Sequence, residues 1–242
     1  ELANLDYRTS LFKGMADYFS FIEKNYPHLK PIDKNLVPFV FFLQSCIGNI
    51  AFAGLNSAWM CRRSPDREEI AIGEYQIKKA HQKIRKQQDI QLIINIFHHP
   101  LEWLWPRDRR ICRMYFRNSI CLTGHLHGIN TAYTRDDDYS IHQFQTGGLY
   151  LHSHKGILNR YQYITITQDK IRLDFRKFSK NTGKWVLDRD MGDDGVKLFT
   201  HFSRFGKTND SLTIMIDKNE KEFAVFNSYI TSVYDEHRYL PG

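Results

Sequence analysis

Cysteine is scarce in this 242-residue sequence, which contains four of them: Cys46, Cys61, Cys112 and Cys121. No two of them form a C-x-x-C pair, and three lie in or beside apolar runs. Free cysteines in apolar surroundings are usually buried and chemically quiet. The pattern therefore predicts reduced thiols and a reducing, cytoplasmic environment rather than a disulfide framework.

Long apolar runs are missing as well. The longest, residues 37–43, has the length of a strand, whereas a membrane-spanning helix needs about 20 apolar residues. The sequence shows no signal peptide, so we expect no membrane partner. It opens on Glu1 instead of Met, and we therefore expect it to be part of a longer polypeptide with further domains.

The composition that is present is that of a folded protein. Apolar residues make up 42% of the chain, charged residues 25% and aromatic residues 14%, which argues against overall disorder. The formal net charge is +7. A modest positive charge suits a phosphate-bearing partner such as a nucleotide or nucleic acid, although it is also common in proteins that bind neither.

Hydrophobic periodicity predicts an alternation of helices and strands, followed by a run of strands. Residues 92–97 are almost continuously apolar, which is typical of a central strand covered on both faces. We therefore predict an α/β layered sandwich, with a main domain over residues 1–190 and a linker and accessory extension over residues 191–242. The predicted helices are 5–26, 73–88 and 106–115, and the other predicted strands are 39–43, 50–55, 119–122, 139–144, 161–167 and 171–178, with strand-like patches at 212–216 and 223–226. A turn at Gly48-Asn49 is expected to join the strands 39–43 and 50–55.

Two histidine clusters follow apolar strands and carry the strongest chemical signal. The first is His98-His99-Pro100, and the second is Gly124-His125-Leu126-His127. Neutral imidazole is the commonest metal ligand in proteins. In extended backbone, side chains two positions apart point the same way, so His125 and His127 are expected to converge. Adjacent histidines point apart, so we expect His98 to face the site and His99 to turn away, towards packing or a hydrogen bond outside the ligand shell.

These two clusters, in this order, resemble the calcineurin-like metallophosphoesterases. The family signature is D-x-H, G-D, G-N-H, a histidine at a strand end, and finally G-H-x-H. The last two elements match His98 and Gly124-His125-Leu126-His127, and the segments 53–59 and 146–150 are similar to strands that flank them in the family. The resemblance covers residues 1–190 and implies an αββα sandwich.

The first three family motifs are absent from this sequence. Asp235-Glu236-His237, Gly192-Asp193 and Gly48-Asn49 imitate parts of them, but each stands in the wrong order or context and is rejected. We therefore expect the domain to be incomplete at its N-terminus, with the missing motifs, including the family's catalytic histidine, upstream of Glu1.

The resemblance implies a hydrolase with two divalent metal ions, Mn, Fe or Zn, and a metal-activated hydroxide. His98 and His125 are expected to bind one ion and His127 the other. The implied substrate is a phosphate ester, and the basic loops favour a phosphodiester. Because half of the implied ligands are absent, the chain alone is expected to be inactive.

Two other functions remain open from the residues. The chain can be a non-catalytic remnant of the same fold that acts as a binding or regulatory module. It can also be a mononuclear zinc hydrolase that uses His98, His125 and His127. The aromatic and basic residues of segment 103–113 can grip a phosphodiester, although an ordinary solvated helix face explains them better.

Overall fold

The computed structural model describes residues 4–26, 38–45, 47–61, 67–126, 130–136, 139–145, 147–148, 159–167, 170–200 and 212–214. The helices are α1 (Leu5–Leu11), α2 (Ala16–Asn25), α3 (Glu74–Arg85) and α4 (Pro106–Tyr115), with short 3-10 turns at Lys13–Met15 and Leu101–Trp103. The strands are β1 (Phe39–Ser45), β2 (Gly48–Gly54), β3 (Ile90–Ile96), β4 (Ser119–Thr123), β5 (Asn130–Asp136), β6 (Tyr139–Gln145), β7 (Arg160–Ile166), β8 (Lys170–Ser179), β9 (Lys184–Leu187), β10 (Val196–Thr200) and β11 (Leu212–Ile214).

The strands form two sheets. The first has the order β1-β2-β3-β4-β6-β5, and β2, β3, β4 and β6 run parallel to one another within it. The second has the order β10-β8-β7-β11, with β9 paired to β8. The prediction that the strand over residues 92–97 is central is confirmed, because β3 lies between two parallel neighbours.

Two apolar cores hold the layers together. One core packs α3 and α4 on the first sheet through residues such as Ile77, Ile84 and Leu104. The other lies between the sheets, where Leu92 and Ile94 of the first face Leu173 and Phe175 of the second, together with neighbouring residues. The described residues thus form helix, sheet and sheet layers, and the predicted mixed α/β layered class is confirmed.

Some predicted boundaries are wrong. The β1–β2 connection was expected at Gly48-Asn49, but Gly48 and Asn49 pair with Ser45 and Gln44 and belong to β2. Gly48 adopts a φ of 110° at the start of β2, a conformation that glycine accepts without steric cost. Strands β5, β9 and β10 were not predicted at all.

The division at residue 190 stays a prediction. Beyond it, β10 pairs with β8, and the decoy residues Asp235 and His237 lie outside the described residues. Within the described part of the chain, the helices are too short or too polar to cross a bilayer.

Candidate metal centre

The parallel strands of the first sheet bring three loops to one edge. β2 leads into Leu55, Asn56 and Ser57, β3 leads into the first histidine cluster, and β4 leads into the second. The carboxyl ends of parallel strands in such a sheet are where ligand sites gather. Backbone hydrogen bonds continue past the strand ends: Leu55 N donates to Ile96 O at 2.8 Å, and Gly124 N donates to His98 O at 2.9 Å. The loops are therefore held side by side.

This edge joins the two histidine clusters. Nε2 of His98 lies 3.2 Å from Nδ1 of His125. His98, His99 and His125 each offer a ring nitrogen within 4.8 Å of the others, and together they form a group that can hold a metal ion. In the part of the chain that the structure describes, no carboxylate belongs to this group.

His127 lies outside the described residues, so its predicted role in binding the second ion stays a prediction. The structure brings His98 and His125 together, as the sequence predicted. Their assignment as metal ligands stays a prediction.

The prediction that His99 turns away is wrong in its geometry. The His99 ring centroid lies 4.5 Å from that of His125 and 4.8 Å from that of His98. The expected hydrogen bond outside the ligand group is present, between Nδ1 of His99 and Oγ of Ser57 at 2.9 Å. The physical reason is that β3 ends at Ile96, so the alternation of an extended strand does not apply to His98 and His99.

The backbone at His125 also departs from the extended geometry that the sequence predicted. Its φ is 70°, in the left-handed region that costs an L-residue about 1–2 kcal/mol. Gly124 needs no such conformation, and a Cβ added to it would make only ordinary contacts with His98. The unusual backbone of this loop therefore belongs to His125 and not to Gly124. Strain of this kind is often kept at functional sites.

Two residues beside the cluster, Ser57 and Cys61, were not singled out as site residues, and Trp103 was considered only within the aromatic and basic segment 103–113. The hydroxyl of Ser57, which is buried, contacts the backbone N–H groups of both His98 and His99. Sγ of Cys61 lies 3.5 Å from Nε2 of His99. The Trp103 ring meets that of His125 at 4.7 Å between centroids, in a T-shaped contact. The available signals for Ser57 were its place in segment 53–59, which resembles a family segment, and its position shortly after a strand that is parallel to β3.

The basic segment after Trp103 behaves as a solvated helix face. In α4 the buried residues are Asp108 and Cys112, and the Asp108 carboxylate accepts hydrogen bonds from Ile72 N at 2.7 Å and Gly73 N at 3.1 Å. Burial raises the pKa of Asp108. Arg109 approaches Glu68 at 3.8 Å. The buried Asp108 carboxylate therefore ties α4 to the start of α3.

The comparisons with known proteins give low similarities. No protein-family model matches the sequence, and no curated protein matches it. Among solved structures, the chain is similar to GAP50, the anchor in the inner membrane complex of Plasmodium, at 11% identity and a TM-score of 0.38, covering 72% of this chain and 56% of that one.

Two further solved structures are similar at the same level. Vacuolar Protein Sorting 29 from Cryptosporidium parvum matches at 16% identity and a TM-score of 0.25, over 43% of this chain and 47% of that one. A hypothetical protein from Thermus thermophilus matches at 10% identity and a TM-score of 0.31, over 67% and 62%. The chain spans 47 to 62% of the length of these three proteins. Similarities this low assign no function.

Proposed function

We propose that this chain supplies the imidazole side of a divalent-metal centre that hydrolyses a phosphate ester, with a phosphodiester as the favoured substrate. The observation that carries the proposal is the 3.2 Å separation of His98 Nε2 and His125 Nδ1. Two imidazole nitrogens about 2.1 Å from one ion and about 90–110° apart are separated by about 3.0–3.4 Å. The two side chains therefore fit one ion with little movement.

The imidazole nitrogens favour some divalent ions over others. Imidazole nitrogen suits Zn, Fe and Mn better than the hard cation Ca, which prefers oxygen ligands. A pair of such ions lowers the pKa of a bound water and stabilises the attacking and leaving oxygens of an in-line displacement. In this proposal His98 and His125 hold one ion, His127 contributes to a second, and carboxylate ligands come from a longer polypeptide.

The main alternative is a metal-binding module without catalysis. It is favoured by one observation, namely that the group of three histidines contains no carboxylate among the described residues. Without carboxylates, the charge of a bound divalent ion is not offset, and a bridging water is less readily positioned. Both functions use the same two histidines, so only an activity measurement separates them.

The test compares this chain with a longer polypeptide that carries the sequence upstream of Glu1. With added Mn²⁺, the longer protein is expected to hydrolyse bis(p-nitrophenyl) phosphate, and His125→Ala in it is expected to reduce the rate to background. The chain alone is expected to remain at background. His237→Ala is the matched control, because it removes the histidine of a rejected D-x-H motif, and it should leave the rate unchanged.

Two results would overturn the proposal: full activity of the longer protein with His125→Ala, or activity of the chain alone. A longer protein that binds metal through His125 but shows no hydrolysis would support the non-catalytic module instead.

A further inference from the structure

The hydroxyl of Ser57 has a fully determined set of hydrogen bonds. Its Oγ accepts from the backbone N–H of His98 at 3.2 Å and from the backbone N–H of His99 at 3.1 Å. A serine hydroxyl has two acceptor lone pairs and one donor proton. The two backbone N–H groups occupy the lone pairs, so the O–H proton is left for the third partner, Nδ1 of His99 at 2.9 Å.

This count fixes the tautomer of His99. If Ser57 donates to Nδ1, then Nδ1 is an acceptor and the proton of a neutral imidazole sits on Nε2. The Nε2–H group faces Sγ of Cys61 at 3.5 Å, a normal distance for a hydrogen bond to sulfur. The opposite tautomer would place a third donor on the Ser57 oxygen, and the described residues offer no other acceptor for the Ser57 hydroxyl proton.

We infer that His99 is a positioning residue and not a metal ligand, and that Ser57 holds it in the Nε2–H form. Coordination through Nδ1 would displace the Ser57 hydroxyl, and coordination through Nε2 would require the opposite tautomer. Of the three imidazoles that lie within reach of one ion, only those of His98 and His125 are then available to it. This inference rests on the proposed function for the identity of the ion's ligands, but the tautomer of His99 does not depend on any metal.

The positioning acts on His98 through the backbone. The Ser57 hydroxyl accepts hydrogen bonds from the backbone N–H groups of both histidines. The buried His99 ring packs against Trp103, with 6.5 Å between the ring centroids. The loop that carries His98 is therefore anchored from β2 and from the Leu101–Trp103 turn. The same tryptophan also contacts the ring of His125. Ser57 and His99 thus set the spacing of the two proposed ligands.

The first experiment is a long-range ¹H–¹⁵N NMR spectrum of the imidazoles in the metal-free chain. The His99 signals are expected to show the Nε2–H tautomer in the parent protein and in Ser57→Thr, which keeps the hydroxyl. In Ser57→Ala they should shift towards a mixture of tautomers. A parent spectrum with the proton on Nδ1 would overturn the inference, and this arm needs only the parent protein to fold.

The second experiment counts nitrogen ligands by electron paramagnetic resonance of the Cu²⁺-loaded chain. His98→Gln and His125→Gln should each lose one nitrogen from the coupling pattern. His99→Gln should keep the parent pattern and weaken affinity by about 10–100-fold, the usual cost of losing an outer partner.

Loss of a nitrogen in His99→Gln would show that it is a ligand and contradict the inference. Failure of every protein to bind Cu²⁺ would count against the proposed function, and the NMR spectrum would still decide the tautomer.

Discussion

His98 and His125 are 27 positions apart in the sequence, yet their ring nitrogens Nε2 and Nδ1 lie 3.2 Å from each other. Two parallel strands, β3 and β4, end beside each other and place one histidine on each of two neighbouring loops. The backbone bond from Gly124 N to His98 O extends this pairing into the loops. The proximity of the two histidines is therefore a consequence of sheet topology.

The left-handed backbone of His125 predicts that a glycine at this position is more stabilising than an alanine. His125→Gly and His125→Ala both remove the imidazole, but only the alanine variant is strained by a φ of 70°. The glycine variant should be more stable than the alanine variant by about 1 kcal/mol. Urea denaturation of the two metal-free variants measures this difference. An alanine variant as stable as the glycine variant would show that the loop relaxes out of the left-handed conformation.

Substitution by alanine should destabilise the protein at Gly54 but not at Gly124. At Gly54 a Cβ would run into the ring of Phe39, its partner on β1, and overpacking of this kind costs about 1–3 kcal/mol. At Gly124 the nearest atoms to a Cβ are Nδ1 and O of His98, at 3.6 and 3.8 Å. Gly124→Ala should therefore change the free energy of unfolding by less than about 0.5 kcal/mol, although it belongs to the motif and Gly54 does not. Equal losses at both positions, measured by thermal denaturation, would refute this reading of the loop.

His81 predicts a pH dependence of stability. It is a buried residue of α3, and burial lowers its pKa from 6.5 to about 4, assisted by the charge of Arg85 and opposed by the Asn95 side chain, whose oxygen favours the protonated imidazole. Below pH 6.5 His81 becomes protonated in the unfolded chain but stays neutral in the folded chain. The free energy of unfolding therefore falls as the pH drops towards 4. The expected loss reaches about 3 kcal/mol.

The control for this pH dependence is His81→Gln, which cannot titrate. Its free energy of unfolding should fall less steeply between pH 6.5 and 4 than that of the parent protein. Parallel pH profiles of the two proteins would show that His81 does not carry the effect.

The sequence predicted the fold better than the details of the site. Alternating helices and strands and the apolar run at residues 92–97 were sufficient for the layered α/β class and for the central place of β3. The turn between β1 and β2 was misplaced because Gly48-Asn49 looks like a hairpin turn, whereas Gly48 uses its positive φ inside the start of β2. Short edge elements such as β9 have too few residues for a periodic signal.

Those features of the site that follow from strand order were predicted from the sequence. Those that follow from loop conformation were missed. His98 and His125 follow parallel strands, so their proximity was predictable. The orientation of His99 was not, because strand alternation ends at Ile96. Ser57 gave little signal, since a serine after a strand is common, and only the three contacts of its hydroxyl show its role.

The central claim, that His98 and His125 together bind one divalent ion, is tested most directly by calorimetric titration of the chain with Zn²⁺. Single His98→Ala and His125→Ala variants should each lose more than about 100-fold in affinity, beyond the usual cost of losing an outer partner. The double variant should be no weaker than either single variant, because both remove the same site. His237→Ala should bind as the parent protein does. Parent-like Zn²⁺ affinity in either single variant would contradict the claim.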